Sequence, residues 1–299
     1  MRYEHKKIGY TDKIKSTFLF KGDCGQDGAV WGDLLFRFET NGVCSVYSMA
    51  KREKISEFTL DKADIMCPHS NAVFFGSERF YKDDEFPLLY TNIYNNYSKE
   101  ADRREGMCCV YRLTRSGDGF VTKLVQLIKI GFVDDLGLWK SLPDNGDLRP
   151  YGNYIFDTDK NKLYAYVMRD KPHTTGWFEF DMPKCSEGEI CEKCGVKVVT
   201  LTKSHILAHF ETPYSGIIQG ACAYDGKIFS LEGGTVPKDN PNPKWPPRMR
   251  IIDMDEKCEK AVIYLAEAGL MIEPEMVDFE GDVFYYMDSH GYVYTIDFV

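Results

Sequence analysis

Apolar and polar residues alternate along this chain in short bursts, and the bursts come in pairs. The segments 28–39 (GAVWGDLLFRFE), 154–167 (YIFDTDKNKLYAYV), 221–234 (ACAYDGKIFSLEGG) and 276–288 (MVDFEGDVFYYMD) each run from a short apolar strand, through a Gly/Asp/Asn turn, into an alternating aromatic-rich strand. That order is the signature of a β-hairpin. A fifth pair, 71–76 and 86–96, has the same two strands joined by a longer charged connection, SERFYKDDE. A third alternating strand follows every pair, at 43–49, 108–114, 176–182, 249–255 and 292–298, so five hairpins become five meanders. A fourth strand follows the first four, at 54–60, 120–130, 196–207 and 260–266. The fifth meander lacks one before the chain stops at Val299, while the strand-like run 6–20 stands alone ahead of the first hairpin.

Self-similarity of this kind predicts an all-β chain folded as a five-bladed β-propeller with four-stranded antiparallel blades. The N-terminal strand would close the last blade, so that no blade keeps a raw edge. The blades then fall at 25–65, 66–133, 148–210, 215–268 and 271–299 with 6–20, in one domain spanning 1–299. The competing arrangement is two β-sandwiches divided near the polar stretch 134–150, which does not require the same strand order five times. The repeat resembles the five-bladed β-propeller architecture, host to arabinanase-like glycoside hydrolases, sucrose-acting hydrolases, calcium-dependent nucleotidases and tachylectin-type lectins. The resemblance is one of architecture over the whole chain, and no motif selects one of these families.

Composition narrows the partners. The net charge of −9, without any Lys/Arg block, argues against nucleic acid, whose phosphates would be repelled. No run of eighteen apolar residues and no apolar leader occurs, so no membrane partner is expected and a cytoplasmic address is. Ten cysteines in 299 residues are too dilute for a disulfide scaffold and read as reduced thiols. Cys185, Cys191 and Cys194 have a zinc-like spacing that His205 and His209 could complete, but a strand would carry those histidines away and no second C-x-x-C exists, so the cysteines read as a solvated loop of free thiols. Neither a cofactor nor a bound metal is expected. G-x-S-x-G, the Walker loop, the Rossmann fingerprint and H-E-x-x-H are all absent.

In a propeller the first strand of each blade lines the central channel, and the residues leading into those strands converge at one mouth. Aligned on Ala29, Ala72, Tyr154, Ala221 and Met276, the leads are Gln26-Asp27-Gly28, His69-Ser70-Asn71, Tyr151-Gly152-Asn153, Ile218-Gln219-Gly220 and Glu273-Pro274-Glu275. Turn formation accounts for the glycines. The remaining polarity suits a small polar ligand or glycan, with Gln26, Ser70, Asn71, Tyr151, Asn153 and Gln219 as ligand-binding groups. Aromatic walls are expected from Tyr151 and from among Trp31, Trp139 and Trp245.

Asp27, His69, Glu273 and Glu275 are the candidate catalytic groups, since one carboxyl held protonated and another held ionised can cleave a glycosidic bond. The resemblance to arabinanase-like hydrolases implies three carboxylates from the first three leads, whereas His69 and Tyr151 stand in the second and third here. A glycoside hydrolase and a non-enzymatic lectin-like or protein-interaction scaffold are therefore both open readings.

Overall fold

The computed structural model describes residues 7–93, 106–130, 153–169, 173–192 and 195–299. In chain order, β1 (Ile14–Lys21) is followed by β2 (Gly28–Trp31), β3 (Leu34–Phe38), β4 (Val43–Ser48) and β5 (Glu53–Thr59). Next come β6 (Val73–Phe75), β7 (Leu89–Asn92), β8 (Met107–Ser116), β9 (Gly119–Ile130), β10 (Asn153–Asp157), β11 (Lys162–Arg169) and β12 (Thr174–Asp181). After them are β13 (Glu189–Cys191), β14 (Val196–Leu201), β15 (Ala208–Pro213), β16 (Ile218–Tyr224), β17 (Lys227–Glu232), β18 (Arg248–Asp253) and β19 (Cys258–Tyr264). The last three are β20 (Pro274–Glu280), β21 (Val283–Asp288) and β22 (Tyr292–Phe298).

The sheets are β2-β3-β4-β5, β6-β7-β8-β9, β10-β11-β12-β15, β16-β17-β18-β19 and β20-β21-β22-β1. Their inner strands β2, β6, β10, β16 and β20 touch in that sequence, and β20 returns to β2. The ring is a five-bladed β-propeller. β1 lies antiparallel on β22, with Ile14 opposite Phe298 and Lys21 opposite Tyr292, so the N-terminal strand completes the last blade. No described helix is long and apolar enough to cross a membrane.

One strand departs from the expected order. The segment 196–207 does not form the outer strand of the third blade. Its first half, β14, crosses to the second blade and lies parallel to β9, Lys197 opposite Gln126 and Leu201 opposite Ile130. β13 adds to the far side of β14, so that sheet has six strands, and the outer strand of the third blade is β15 on β12. A short 3-10 turn, Lys203–His205, separates the two elements, with the Thr202 amide donating to His205 Nδ1 at 2.9 Å. Docking on β9 pairs a long edge that would otherwise face solvent and buries Val196 and Leu201.

Aromatic rings fill the seams between blades. Phe36 meets Phe75, Phe86 and Phe120 edge-on at 5.4–5.9 Å between the first and second blades. Phe279 and Phe284 pack with Phe229 and Phe298 between the fourth and fifth. Burying a Phe side chain contributes about 1.5–3 kcal/mol, so the seams rather than isolated blades hold the ring together. Hairpin geometry follows local chemistry: Asp225 and Gly226 both have positive φ, as a two-residue turn between β16 and β17 requires.

Candidate functional site

At the lead ends of the inner strands the ladder is interrupted twice. The register of β16 on β17 shifts between Ile218 and Ala221, and that of β20 on β21 between Pro274 and Met276. Bulges of this kind take residues out of the pairing and re-aim their side chains. The residues concerned are Gln219 with Gly220, and Glu275. A Cβ at Gly220 would overlap the Glu275 carbonyl oxygen and stand 2.8 Å from Asp27 Oδ1. The first, fourth and fifth blades meet at the axis only because residue 220 has no side chain.

Asp27 and Glu275 are 1% and 2% exposed at this closed point. Asp27 Oδ2 accepts the Val73 amide at 2.8 Å, tying the first blade to the second. Arg37 of β3, 1% exposed, donates to the carbonyls of Gln26 at 2.8 Å and Asp288 at 3.1 Å. Three buried atoms here, Asp27 Oδ1, Glu275 Oε2 and Arg37 Nε, have no partner among the described residues. An unpartnered buried polar group costs about 1–3 kcal/mol. Nearer the mouth, His69 Nε2 lies 3.1 Å from Gln26 Oε1, and Gln219 Nε2 donates to Glu273 Oε1 at 2.7 Å. Both pairs bridge neighbouring blades.

Burial governs the proton affinities. It raises Asp27 well above the usual carboxylate range, against the Gly28 and Val73 amides, which favour the ionised form. It raises Glu275 likewise; the Glu273 charge adds to the effect and Arg37 opposes it. Glu273 is raised by burial and partly restored by Gln219. His69 is lowered by burial, which favours neutral imidazole. Glu275, Asp288 and Asp27 all act on one permanent cation, Arg37. Carboxyls outnumber the one cation here, and burial shifts each of them toward the neutral acid.

The opposite arc of this mouth is a girdle of amides. Asn92 Nδ2 donates to Asn153 Oδ1 at 2.8 Å, and Asn153 Nδ2 donates to the Tyr166 hydroxyl and the Gln219 carbonyl, each at 3.1 Å. Asn71 Nδ2 reaches the Ile218 carbonyl at 3.2 Å, and Thr91 donates to Ser70 Oγ at 2.9 Å. These bonds run from the second blade through the third to the fourth.

Of the residues singled out from sequence, Gln26, Asp27, His69, Gln219, Glu273 and Glu275 come together along the arc from the fourth blade through the fifth and first to the second. Ser70, Asn71 and Asn153 sit in the girdle, with their side chains already bonded. Tyr151 and Trp139 lie outside the described residues. Trp31 is not a wall of this mouth; it ends β2 and stands at the other end of the channel, because β2 runs away from its lead. Trp245 packs over Gly216.

Arg37 and Asp288 escape the lead alignment because they enter from β3 and β21. The available signal was a lone charge inside the strand LLFRF, all five residues of which are buried. Among the described residues no group of three or more His, Cys, Asp or Glu is placed to hold a metal ion. Cys185 and Cys191 are half-buried, and Cys194 lies outside the described residues.

No protein-family model and no curated protein sequence matches the chain. Among solved structures it is similar to the glutaminyl cyclase of Myxococcus xanthus, at 8% identity and a TM-score of 0.52 over 95% of this chain and 96% of that one. It is also similar to a chain of the nidogen/laminin complex, at 10% identity and a TM-score of 0.40 over 84% and 66%. Hydrazine synthase of Kuenenia stuttgartiensis follows at 11% identity and 0.41 over 87% and 60%. The likeness to the cyclase supports the propeller fold and, at that identity, nothing finer.

Proposed function

We propose that the protein is a binding module for a small hydroxyl-rich ligand of the carbohydrate type, taken at the lead mouth of its channel. The observation that carries this reading is a set of three buried polar atoms without a partner among the described residues, Asp27 Oδ1, Glu275 Oε2 and Arg37 Nε, on groups whose charges act on one another, beside the rim pairs His69–Gln26 and Gln219–Glu273. A hydroxyl both donates and accepts, so neighbouring hydroxyls of one ring can satisfy a carboxyl and a guanidinium together. The rim pairs supply the entry, each exchanging one side-chain bond for one to the ligand.

Cleavage is the less supported outcome. A hydrolase needs its two carboxyls pushed apart in proton affinity, one acid and one ionised. Here burial pushes Asp27 and Glu275 the same way, toward the neutral acid. The test is a panel of free sugars and aryl glycosides measured on wild type, His69→Gln, Glu273→Gln and Glu275→Gln. Sugar binding that weakens at least tenfold in the variants, with no glycoside turnover, is the expected result. Turnover abolished by Glu275→Gln would install the hydrolase reading instead, and binding unchanged in all three would remove the ligand from this mouth.

A further inference from the structure

The channel's other end has a different chemistry. Where the inner strands run out into their turns, all five blades contribute to a cavity of about 560 Å³, within the 300–1,000 Å³ typical of small-ligand sites. Its walls are aromatic. Trp31 lies 5.5 Å from Phe75, Phe74 lies 6.0 Å from Phe156, and Tyr224 lies 3.8 Å from Phe279, each pair joining one blade to the next. Two acids, Asp278 and Glu280, stand among the rings, with Arg79 at the edge.

This cavity is poorly suited to a sugar. Asp278 already accepts the amides of Val30 and Phe279, each at 2.8 Å. A hydroxyl-rich ring would find few free side-chain partners here beyond Glu280, Thr158 and Arg79. A cation suits it better, because aromatic faces are electronegative and attract cations within about 6 Å of the ring centre. The protein already uses one wall in this way: the Arg79 guanidinium stands 6.0 Å from the centre of the Trp31 ring, its Nε held at 2.9 Å by the Asp84 carbonyl.

We propose that the turn-end cavity binds a small organic ammonium ion, its charge shared between the aromatic walls and the carboxyls of Asp278 and Glu280. The site is separate from the lead mouth, because the axis between them is closed where β16, β20 and Asp27 meet at Gly220. It stands whether or not the carbohydrate reading of that mouth does.

The arrangement also ties uptake to pH. Burial pushes Asp278 up to about 7, against its two amide bonds and with help from the Glu280 charge. The ionisable groups facing it are Glu280 on its own strand, Cys222 on β16, Asp27 ahead of β2, and Arg79 at the cavity edge. A bound cation favours ionised Asp278, so below pH 7 binding expels a proton and tightens as the pH rises.

The full chain is titrated by calorimetry with tetramethylammonium, with choline, and with 3,3-dimethyl-1-butanol, the uncharged isostere of choline. Choline should bind at least tenfold more tightly than the alcohol and several-fold more tightly at pH 8 than at pH 6, while the alcohol shows no such change. Trp31→Leu and Asp278→Asn should each weaken choline at least fivefold. Glu280→Gln, at a half-buried position, should weaken it several-fold and keeps the test alive if Asp278→Asn does not fold. Equal affinities for choline and the alcohol, no binding of either ammonium ion, or full choline affinity in both Trp31→Leu and Glu280→Gln would each overturn the proposal.

Discussion

The two ends of the channel are made by the same five strands and differ in what each strand presents there. At the lead end short amides and carboxyls reach across from blade to blade. Hydrogen bonds of about 3 Å draw the blades together, and the axis closes on Gly220. At the turn end the cross-blade contacts are ring pairs, whose centres cannot approach so closely, and the axis opens into a cavity. A propeller channel is thus closed or opened by the length and polarity of residues at two levels of its inner strands, with no change of strand order.

The same substitution at both ends should break this comparison most visibly. Gly220→Ala drives a Cβ into backbone at the closed end and should cost about 3 kcal/mol or more. Gly281→Ala at the open end has nothing within 4 Å, only its positive φ to strain, and should cost about 1 kcal/mol. Thermal unfolding of both variants measures the difference, and equal losses would mean that the lead end is not closed as described. Next in size is Asn153→Leu. It removes three side-chain bonds from the girdle and leaves the Gln219 carbonyl with the Tyr166 hydroxyl, at an expected cost of about 2–4 kcal/mol.

The third test sharpens the electrostatic side. Asp278 has an ordinary value of 3.8 and is pushed up to about 7 in the fold. Between those values the native protein keeps a proton that the unfolded chain has released, so stability is highest at the acid side and falls as pH rises through the window. The slope from this one group reaches about 1.4 kcal/mol per pH unit. Asp27, Glu273, Glu275 and Asp288 are raised too and pull in the same direction. Asp278→Asn should remove one group's share of the slope between pH 4 and 7, read from urea midpoints. An unchanged slope would show that the turn-end acid is not held as proposed.

Much of this architecture was legible in the sequence, because hairpins write themselves locally: DKNK, YDGK and EGDV are turns wherever they occur, and each is followed by a strand of period two. The excursion of β14 was not legible. Val196–Leu201 alternates equally well on the edge of either neighbouring blade, and local pattern does not say which edge is longer or less covered. The lead-end cluster was half legible. Its acids and amides stand in the aligned columns, whereas Arg37 enters from a second strand.

The turn-end cavity had a signal two residues further along the same alignment. That column reads Trp31, Phe74, Phe156, Ala223 and Asp278, three aromatic rings and one acid where inner strands otherwise bury aliphatic side chains. Rings in strands are ordinarily core, so the column by itself does not distinguish packing from a cavity wall. Only the spacing of the blades turns those rings into walls.

The smallest expected effect tests whether the two ends are independent. Burial lowers the affinity of His69 for a proton, so the unfolded chain takes one up at pH values just below 6.5 while the fold resists. Its contribution is present at neutral pH and lost on acidification, the reverse of Asp278. His69→Gln should therefore leave stability at pH 8 within about 0.5 kcal/mol of wild type and make the protein slightly more resistant below pH 6.5. Since the two groups sit on opposite sides of the closure at Gly220, His69→Gln and Asp278→Asn should add within about 0.5 kcal/mol at every pH from 5 to 8. A larger departure in the double variant would mean that the closure at Gly220 transmits between the ends, and that a ligand at one mouth changes the other.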